Sequence, residues 1–127
     1  MPREPTGVMG NILEVERLEN VSGHIVLCFK GPLTMNNVFV FLSALKQEEN
    51  LPSLILDFSG VPYIDSTALG ALVNAYVSRQ KMGKRVALSG ISDRVSKMLK
   101  TTKVESLFLT FPTREDAIGG LTGTRAA

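Results

Sequence analysis

The chain has 127 residues, a formal net charge of +2 at pH 7, one cysteine and one histidine. The length fits one domain that buries its own core, and the cysteine and histidine counts exclude an intramolecular disulfide and a multi-Cys/His metal cluster. The small net charge does not favour nucleic acid as a partner. No apolar run approaches the ~20 residues that span a bilayer, and residues 1–7 lack the apolar segment of a secretory signal. We therefore expect a cytoplasmic protein without direct membrane insertion.

The first part of the chain predicts a mobile arm, a hairpin and one helix. Residues 1–11 are rich in Pro and Gly and have no periodic apolar pattern, which is typical of a mobile arm. Apolar residues alternate over 12–19, and a turn then leads to an apolar run over 24–30, so we predict a hairpin of two strands. Thr34 is placed to cap a helix over 35–48. The predicted buried stripe of that helix is Met35, Val38, Phe39, Leu42 and Leu45.

The centre of the chain predicts a strand, a turn and a long helix. Residues 54–58 are apolar enough for a central parallel strand. Asp65 stands where a helix N-cap is expected, and the helix runs from Ser66 to about Met82. Its predicted buried stripe is Leu69, Leu72, Val73, Tyr76 and Val77. The opposite face carries small or polar residues that let a second protein approach closely, namely Thr67, Gly70, Ala71, Asn74 and Ser78.

The remainder of the chain predicts two further strand–helix units. Residues 85–89 form a strand, and Ser92 caps a helix that turns Val95, Met98 and Leu99 inward. A strand over 107–109 precedes a short helix that ends near Ile118, and residues 119–127 form a flexible tail. The predicted fold is therefore a single α/β domain over 12–118. It has a mostly parallel sheet of four to five strands, an antiparallel N-terminal edge strand and about four helices.

Ser66 occupies a position where binding and catalytic sites gather, at the carboxyl end of a parallel strand and the start of a helix. Its context, Ile-Asp-Ser-Thr-Ala, is not the Gly-x-Ser-x-Gly of a nucleophile elbow. His24, the only available base, is expected at the opposite end of the sheet. Asp57 and Asp65 are better explained as a strand-end carboxylate and a helix cap than as an acid/base pair. Without a Walker loop or Gly-x-Gly-x-x-Gly motif, the sequence predicts a binding module and no enzyme.

Basic residues are concentrated between Ala71 and Thr110. Only Asp93 and Glu105 oppose them in that stretch. One interpretation is a solvated helical face, and the other is a patch for an acidic partner or for lipid headgroups. The basic residues are Arg79, Lys81, Lys84, Arg85, Arg94, Lys97, Lys100 and Lys103.

The stretch from Leu54 to Leu72 reads Leu-Ile-Leu-Asp-Phe-Ser-Gly-Val-Pro-Tyr-Ile-Asp-Ser-Thr-Ala-Leu-Gly-Ala-Leu. It resembles the signature of the STAS domain family, and specifically that of bacterial anti-sigma factor antagonists. The family pattern is a hydrophobic strand that ends in Asp-Leu/Phe-Ser, a short turn, and then Asp-Ser-Ser/Thr-Gly/Ala-Leu-Gly. The resemblance covers roughly residues 12–118. Thr34 departs from the pattern, because family members often carry an acidic residue there, and Ala68 stands where Gly is common.

The resemblance implies a phosphorylation switch at Ser66. In this family, a kinase of the histidine-kinase-like ATPase type, which is also the anti-sigma factor, phosphorylates the matching serine. The unmodified antagonist binds that kinase and frees the sigma factor, and a PP2C-type serine phosphatase restores the active form. No cofactor is implied. The expected partner-binding residues lie on one side of the helix start and are Asp65, Ser66, Thr67, Gly70, Ala71 and Asn74.

A second interpretation keeps the fold and changes the role. Some STAS domains resemble adaptors, either as subunits of lipid-transport ATPase complexes or in stressosome scaffolds. Such an adaptor would bind its partner without phospho-switching, and Ser66 would then be an ordinary first residue of a helix.

Overall fold

The computed structural model describes residues 12–19 and 23–123. Strands and helices alternate after an initial pair of strands, as the sequence predicted. The strands are β1 (Glu14–Glu19), β2 (Ile25–Lys30), β3 (Ser53–Gly60), β4 (Arg85–Ser89) and β5 (Thr110–Phe111). The helices are α1 (Val38–Gln47), α2 (Ser66–Lys81), α3 (Asp93–Thr101) and α4 (Arg114–Gly123), with a 3-10 turn at Glu105–Leu107. The predicted mobile arm, residues 1–11, lies outside the described residues, as do residues 124–127.

The five strands form one sheet in the order β1-β2-β3-β4-β5. β1 pairs antiparallel with β2, and every later pair is parallel. A short connection reverses the chain between β1 and β2, whereas each later connection contains a helix and returns the chain in the same direction. The prediction of a mostly parallel sheet with an antiparallel N-terminal edge strand is confirmed.

The helices cover the sheet from two sides. Side chains of α1, α2 and α3 share one apolar core with β2, β3 and β4, and its centre holds the rings of Phe29, Phe41 and Phe58. Ala117 and Leu121 of α4 join a smaller core on the other face. Because successive right-handed crossovers place their helices on one face, α2 lies between α1 and α3, and the N-terminal ends of all three point to the same edge of the sheet.

The predicted start of α1 is wrong, and its predicted buried stripe is right for Leu45 but wrong for most of its other members. The helix begins at Val38, because residues 35–37 form a turn in which Asn37 Oδ1 accepts a hydrogen bond from the Thr34 backbone N–H at 3.0 Å. Phe41 and Leu45 are buried, whereas Met35, Phe39 and Leu42 are exposed. The residues of α1 are apolar almost all round, so two different stripes fit helical spacing equally well, and only packing on the sheet separates them.

The predictions for the last strand and the last helix also need correction. The strand lies at Thr110–Phe111 instead of 107–109, because Phe108 turns inward against Tyr76, whose ring lies 4.7 Å away. α4 continues to Gly123 instead of ending near Ile118, so the first part of the predicted flexible tail is helical. Leu121 lies one turn beyond Ala117 and is buried. A Cβ on Gly120 would meet the Phe111 ring at 2.4 Å, so a larger residue here would force that ring to shift.

Candidate functional site

Asp65 ends the loop after β3 and sets the start of α2. Its backbone is extended, and its Oδ1 accepts a hydrogen bond from the Ala68 N–H at 2.9 Å, which is the geometry of an N-cap. Its Oδ2 accepts from the Met35 N–H, also at 2.9 Å. The predicted cap is confirmed, and the same carboxylate also fixes the turn before α1. Ser66 follows as the first residue of α2, and its side chain is exposed.

Three loops meet around Ser66. The loop after β2 is joined to the loop after β3 by hydrogen bonds from the Leu33 N–H to Tyr63 O at 3.1 Å and from the Asp65 N–H to Leu33 O at 3.2 Å. The loop after β4 joins them through Ser92, whose Oγ donates to Pro62 O at 3.2 Å. These hydrogen bonds connect the three loops that surround Ser66 at the carboxyl ends of the parallel strands.

A shallow groove runs from Ser66 along α2, with Leu42 of α1 on its other side. Most of the residues predicted to bind a partner line it, and these are Ser66, Thr67, Gly70, Ala71 and Asn74, followed by Ala75 and Ser78. Asp65 lies at the head of the groove. A Cβ on Gly70 would meet nothing within 4 Å, so the packing of this chain does not require glycine there. The groove is open space on the protein surface.

Leu42 is the α1 residue that lines this groove, and two further apolar residues are exposed on α1 and in the turn before it. Met35 is 66% exposed and Phe39 is 64% exposed, and Leu42 is exposed beside them. We call these three residues the α1 apolar face. Contiguous exposed apolar residues commonly mark contact surfaces for another protein. Sequence reasoning placed all three in the core. The signal it missed is that α1 carries more apolar residues than one buried stripe can use.

Two substitutions of Asp65 should show how much each of its two hydrogen bonds contributes to the free energy of unfolding. Asp65→Ala removes both acceptors and should lower the free energy of unfolding by about 1–2 kcal/mol, a range typical of a lost N-cap. Asp65→Asn keeps one carbonyl oxygen for Ala68 and turns an NH₂ toward the Met35 N–H, so it should lose less than alanine does. Urea denaturation of the three proteins measures both differences. Equal stability of wild type and Asp65→Ala would contradict the capping role.

The other groups that could do chemistry lie elsewhere or are already paired. His24 lies beside Ser53 at the start of β3, at the opposite end of that strand from Ser66, with Nδ1 3.5 Å from the serine Oγ. Asp57 is buried and forms an ion pair of 2.9 Å with Arg114. Asp57 therefore has a structural role, and so does Asp65 as the N-cap of α2. Burial raises the pKa of the Cys28 thiol, which makes it a poor nucleophile.

No group of three or more potential metal ligands occurs within residues 12–19 and 23–123. In the same part of the chain, no helix is both long enough and apolar enough to cross a membrane.

The predicted basic region is not one continuous surface. Arg79 is buried, and its guanidinium donates to three backbone carbonyls, including Leu51 O at 2.7 Å. Burial lowers the pKa of Arg79. Lys84 and Arg85 donate to the carbonyls of Glu49 and Leu121. Both sequence interpretations placed Arg79 on the surface, and both are wrong for this residue, because the spacing of charges along the chain does not show which way each side chain turns.

Known proteins share this fold and sequence pattern. A family model described as the STAS domain matches residues 13–117. A protein of Listeria monocytogenes named anti-sigma-B factor antagonist is 26% identical over 97 residues, which cover 75% of this chain and 85% of that protein. An anti-sigma factor antagonist from Mycobacterium paratuberculosis has a TM-score of 0.77 at 19% identity, covering 87% of this chain and 94% of that one. The Bacillus cell fate determinant SpoIIAA in its phosphorylated form has a TM-score of 0.66 at 15% identity. The match covers 85% of this chain and 99% of that one.

The structural neighbours establish the fold alone, since their sequences are less than a quarter identical to this one. The family model carries the assignment further, because it spans most of the chain and includes both the strand before Ser66 and the helix after it. The chain belongs to the STAS domain family.

Proposed function

We propose that this protein is an anti-sigma factor antagonist switched by phosphorylation of Ser66. In its unmodified form it binds an anti-sigma factor kinase of the histidine-kinase-like ATPase type, and the sigma factor is released. Phosphorylation ends that binding, and a PP2C-type serine phosphatase restores it. The observation that carries the proposal is the exposed Ser66 hydroxyl at the head of a groove whose α1 flank is apolar. The Listeria relative named anti-sigma-B factor antagonist supports the same role.

The groove suits a protein partner better than a small molecule. Its floor is made of small residues from α2, and it is open along its length. Gly70 leaves room for a partner's side chain or backbone to approach α2 closely. The α1 apolar face would supply the buried contact that specific interfaces have at their centre. One docked surface could therefore cover Leu42, Gly70 and Ser66 together.

Phosphorylation should act on binding more than on folding. A phosphate adds about −1.5 to −2 charge units at Ser66. The positive end of the α2 dipole favours that charge by only ~0.3–1 kcal/mol, and the neighbouring Asp65 carboxylate opposes it. A partner docked over Ser66 would meet the same charge inside a contact surface, where mismatched charge costs on the order of several kcal/mol. The fold therefore tolerates a modification that the complex does not.

The partner would supply the catalytic groups of the phosphoryl transfer. The Ser66 hydroxyl attacks the γ-phosphate of the kinase-bound ATP, the bond between the γ-phosphorus and the ADP oxygen breaks, and the hydroxyl proton passes to a base. His24 cannot be that base, because it lies at the far end of β3. In this proposal Ser66 is a substrate residue that Asp65 holds in position.

The test compares the full chain with Ser66→Glu and with Ser106→Glu, a matched control that places the same charge on an exposed serine in the 3-10 turn after α3. Each protein is immobilised, and proteins captured from the cytosol of the source organism are identified by mass spectrometry. Wild type and Ser106→Glu should capture an ATPase of the kinase type, and Ser66→Glu should retain at least about tenfold less, a loss that ~1.4 kcal/mol explains. Adding ATP to the purified pair should then place one phosphate on Ser66.

Two results would contradict this proposal. The first is equal capture of the kinase by wild type and Ser66→Glu. The second is a phosphate on another residue while Ser66 stays unmodified. If both proteins instead retain the same transport-ATPase or scaffold subunits, the adaptor role replaces the switch, and Ser66 is an ordinary helix start. Melting temperatures of all variants exclude misfolding as the cause.

A further inference from the structure

Cations line the exposed side of α3. Arg94, Lys97 and Lys100 are exposed along the helix, and Lys103 follows in the turn after it. Their spacing of three residues makes consecutive side chains neighbours on the surface. None of the four forms an ion pair with another residue in the part of the chain that the structure describes. We call these four residues the α3 basic face.

With Lys81 at the end of α2, these four cations are what remains of the basic region once the members that bind main-chain carbonyls are set aside. Arg79, Lys84 and Arg85 bind main-chain carbonyls and serve the fold. The α3 residues do not, and holding like charges side by side is mildly destabilising in the free protein. A surface that keeps such charges without an ion pair inside the described part of the chain is suited to an external anionic partner.

The α3 basic face begins beside Ser66. The guanidinium of Arg94 lies over the ring of Tyr63, 4.7 Å from its centre, and Tyr63 precedes Ser66 by three residues. Ser92 binds the carbonyl of Pro62 in the same loop. A partner that covers Ser66 would therefore also reach the first turn of α3. Stacking on Tyr63 holds Arg94 in place, so little side-chain freedom is lost when it binds an anion.

The two flanks of Ser66 differ in chemistry. On the α1 flank the groove is lined by Leu42, and Met35 and Phe39 add exposed apolar side chains in the turn before that helix and on it. The flank formed by α3 is positively charged. An asymmetric pair of flanks fixes the orientation of a bound protein, because apolar contact supplies affinity while charge selects and steers the partner. A planar lipid surface would use the charge but could not enter the groove between α1 and α2.

We propose that the α3 basic face binds an acidic surface of the same protein that docks over Ser66. This inference rests on the proposed function and adds the chemistry of the partner to it. Asp and Glu carboxylates of the partner would lie opposite Arg94 and Lys97, and Lys100 and Lys103 would extend the attraction along the helix. The main effect is on association, since long-range charge attraction raises the rate at which two proteins meet.

The experiment uses the full chain and the purified kinase that wild type captures. Lys97→Glu/Lys100→Glu reverses two charges of the α3 basic face. Its matched control is Lys46→Glu/Lys81→Glu, which makes the same charge change on exposed residues of the last turns of α1 and α2, away from Ser66. Surface plasmon resonance at low and high salt measures association, dissociation and Kd for wild type, both double variants and Ser66→Glu. Binding to vesicles with and without phosphatidylglycerol is measured in parallel.

The α3 double variant should bind the kinase about tenfold or more weakly at low salt, mainly through slower association, and its deficit should shrink at high salt. The control should lose clearly less than the α3 double variant at low salt, and at high salt it should stay within about threefold of wild type, because a short Debye length leaves distant charges little effect. Equal affinity of the two double variants, with Ser66→Glu still impaired, would overturn this inference and leave the proposed function standing. Loss of phosphatidylglycerol binding with kinase binding unchanged would overturn it in favour of a lipid surface. Absence of kinase binding by wild type would overturn both proposals.

Discussion

Truncating Phe41 to alanine should lower the free energy of unfolding by about 3–5 kcal/mol, whereas truncating Phe39 should change it by less than about 0.5 kcal/mol. Phe41 is completely buried, and its ring centre lies 5.2 Å from that of Phe29 and 6.2 Å from that of Phe58. Removing it leaves a cavity between sheet and helix. Phe39 is 64% exposed, so its truncation opens no cavity in the core.

Urea denaturation followed by circular dichroism measures both changes. Phe41→Leu is the control for volume and should lose clearly less than Phe41→Ala. A loss at Phe39 as large as that at Phe41 would show that the helix buries the other stripe.

For kinase binding we expect the opposite order, with the larger effect from truncation of Phe39. Phe39→Ala should weaken it by about tenfold or more, as truncation of an interface anchor does, and Leu107→Ala, an exposed apolar control elsewhere, should not.

Replacing Arg79 with methionine should destabilise the protein by about 3 kcal/mol. The guanidinium donates to Leu51 O at 2.7 Å, Arg85 O at 3.2 Å and Glu48 O at 3.4 Å, and so ties the end of α2 to the chain before β3 and to the start of β4. Glu48 O keeps a second donor, the Leu51 N–H at 3.1 Å, whereas a carbonyl left without any donor costs about 1–3 kcal/mol when water cannot replace it. The loss stays below the full sum, because Arg79 Nε itself has no acceptor within the described residues and truncation removes that unsatisfied donor.

The matched control is Lys81→Met, which removes one cation from an exposed position two residues further along α2. It should change the free energy of unfolding by less than about 0.5 kcal/mol. Arg79→Lys should lie between wild type and methionine, since one ammonium group cannot reach three carbonyls in the fixed geometry of a guanidinium. If Arg79→Met and Lys81→Met were equally stable, Arg79 would not hold these segments together.

Much of the fold could be predicted because local patterns were unambiguous. The apolar run of β3 is bounded by turn residues, and Asp65 followed by a long periodic stretch predicts the start of α2 at Ser66, where the structure has it. Ser92 capped α3 as predicted, with its Oγ accepting from the Val95 N–H at 3.2 Å. Alternation of strands and helices then restricted the topology to a parallel sheet with right-handed crossovers.

The candidate site could be predicted only in part. Ser66 and the small residues of α2 followed from helical spacing and from the family resemblance. The α1 apolar face did not, since two stripes of α1 fit the same period. The structural role of Arg79 and the stacking of Arg94 on Tyr63 depend on partners between six and 31 residues away along the chain. Neither helical nor strand spacing along the chain indicates which of these residues meet in the fold.

The sequence by itself determined the class of fold, the order of its elements and the place of Ser66 at a helix start, because caps, turns and periodicity act over a few residues. The tertiary structure decided which face of α1 is buried, which cations serve the fold and which remain on the α3 basic face. It also decided that α4 continues to Gly123, since burial of Leu121 outweighs the helix-weakening effect of Gly119 and Gly120. These outcomes depend on competition for space against one shared sheet, and that competition exists only when the whole chain is folded.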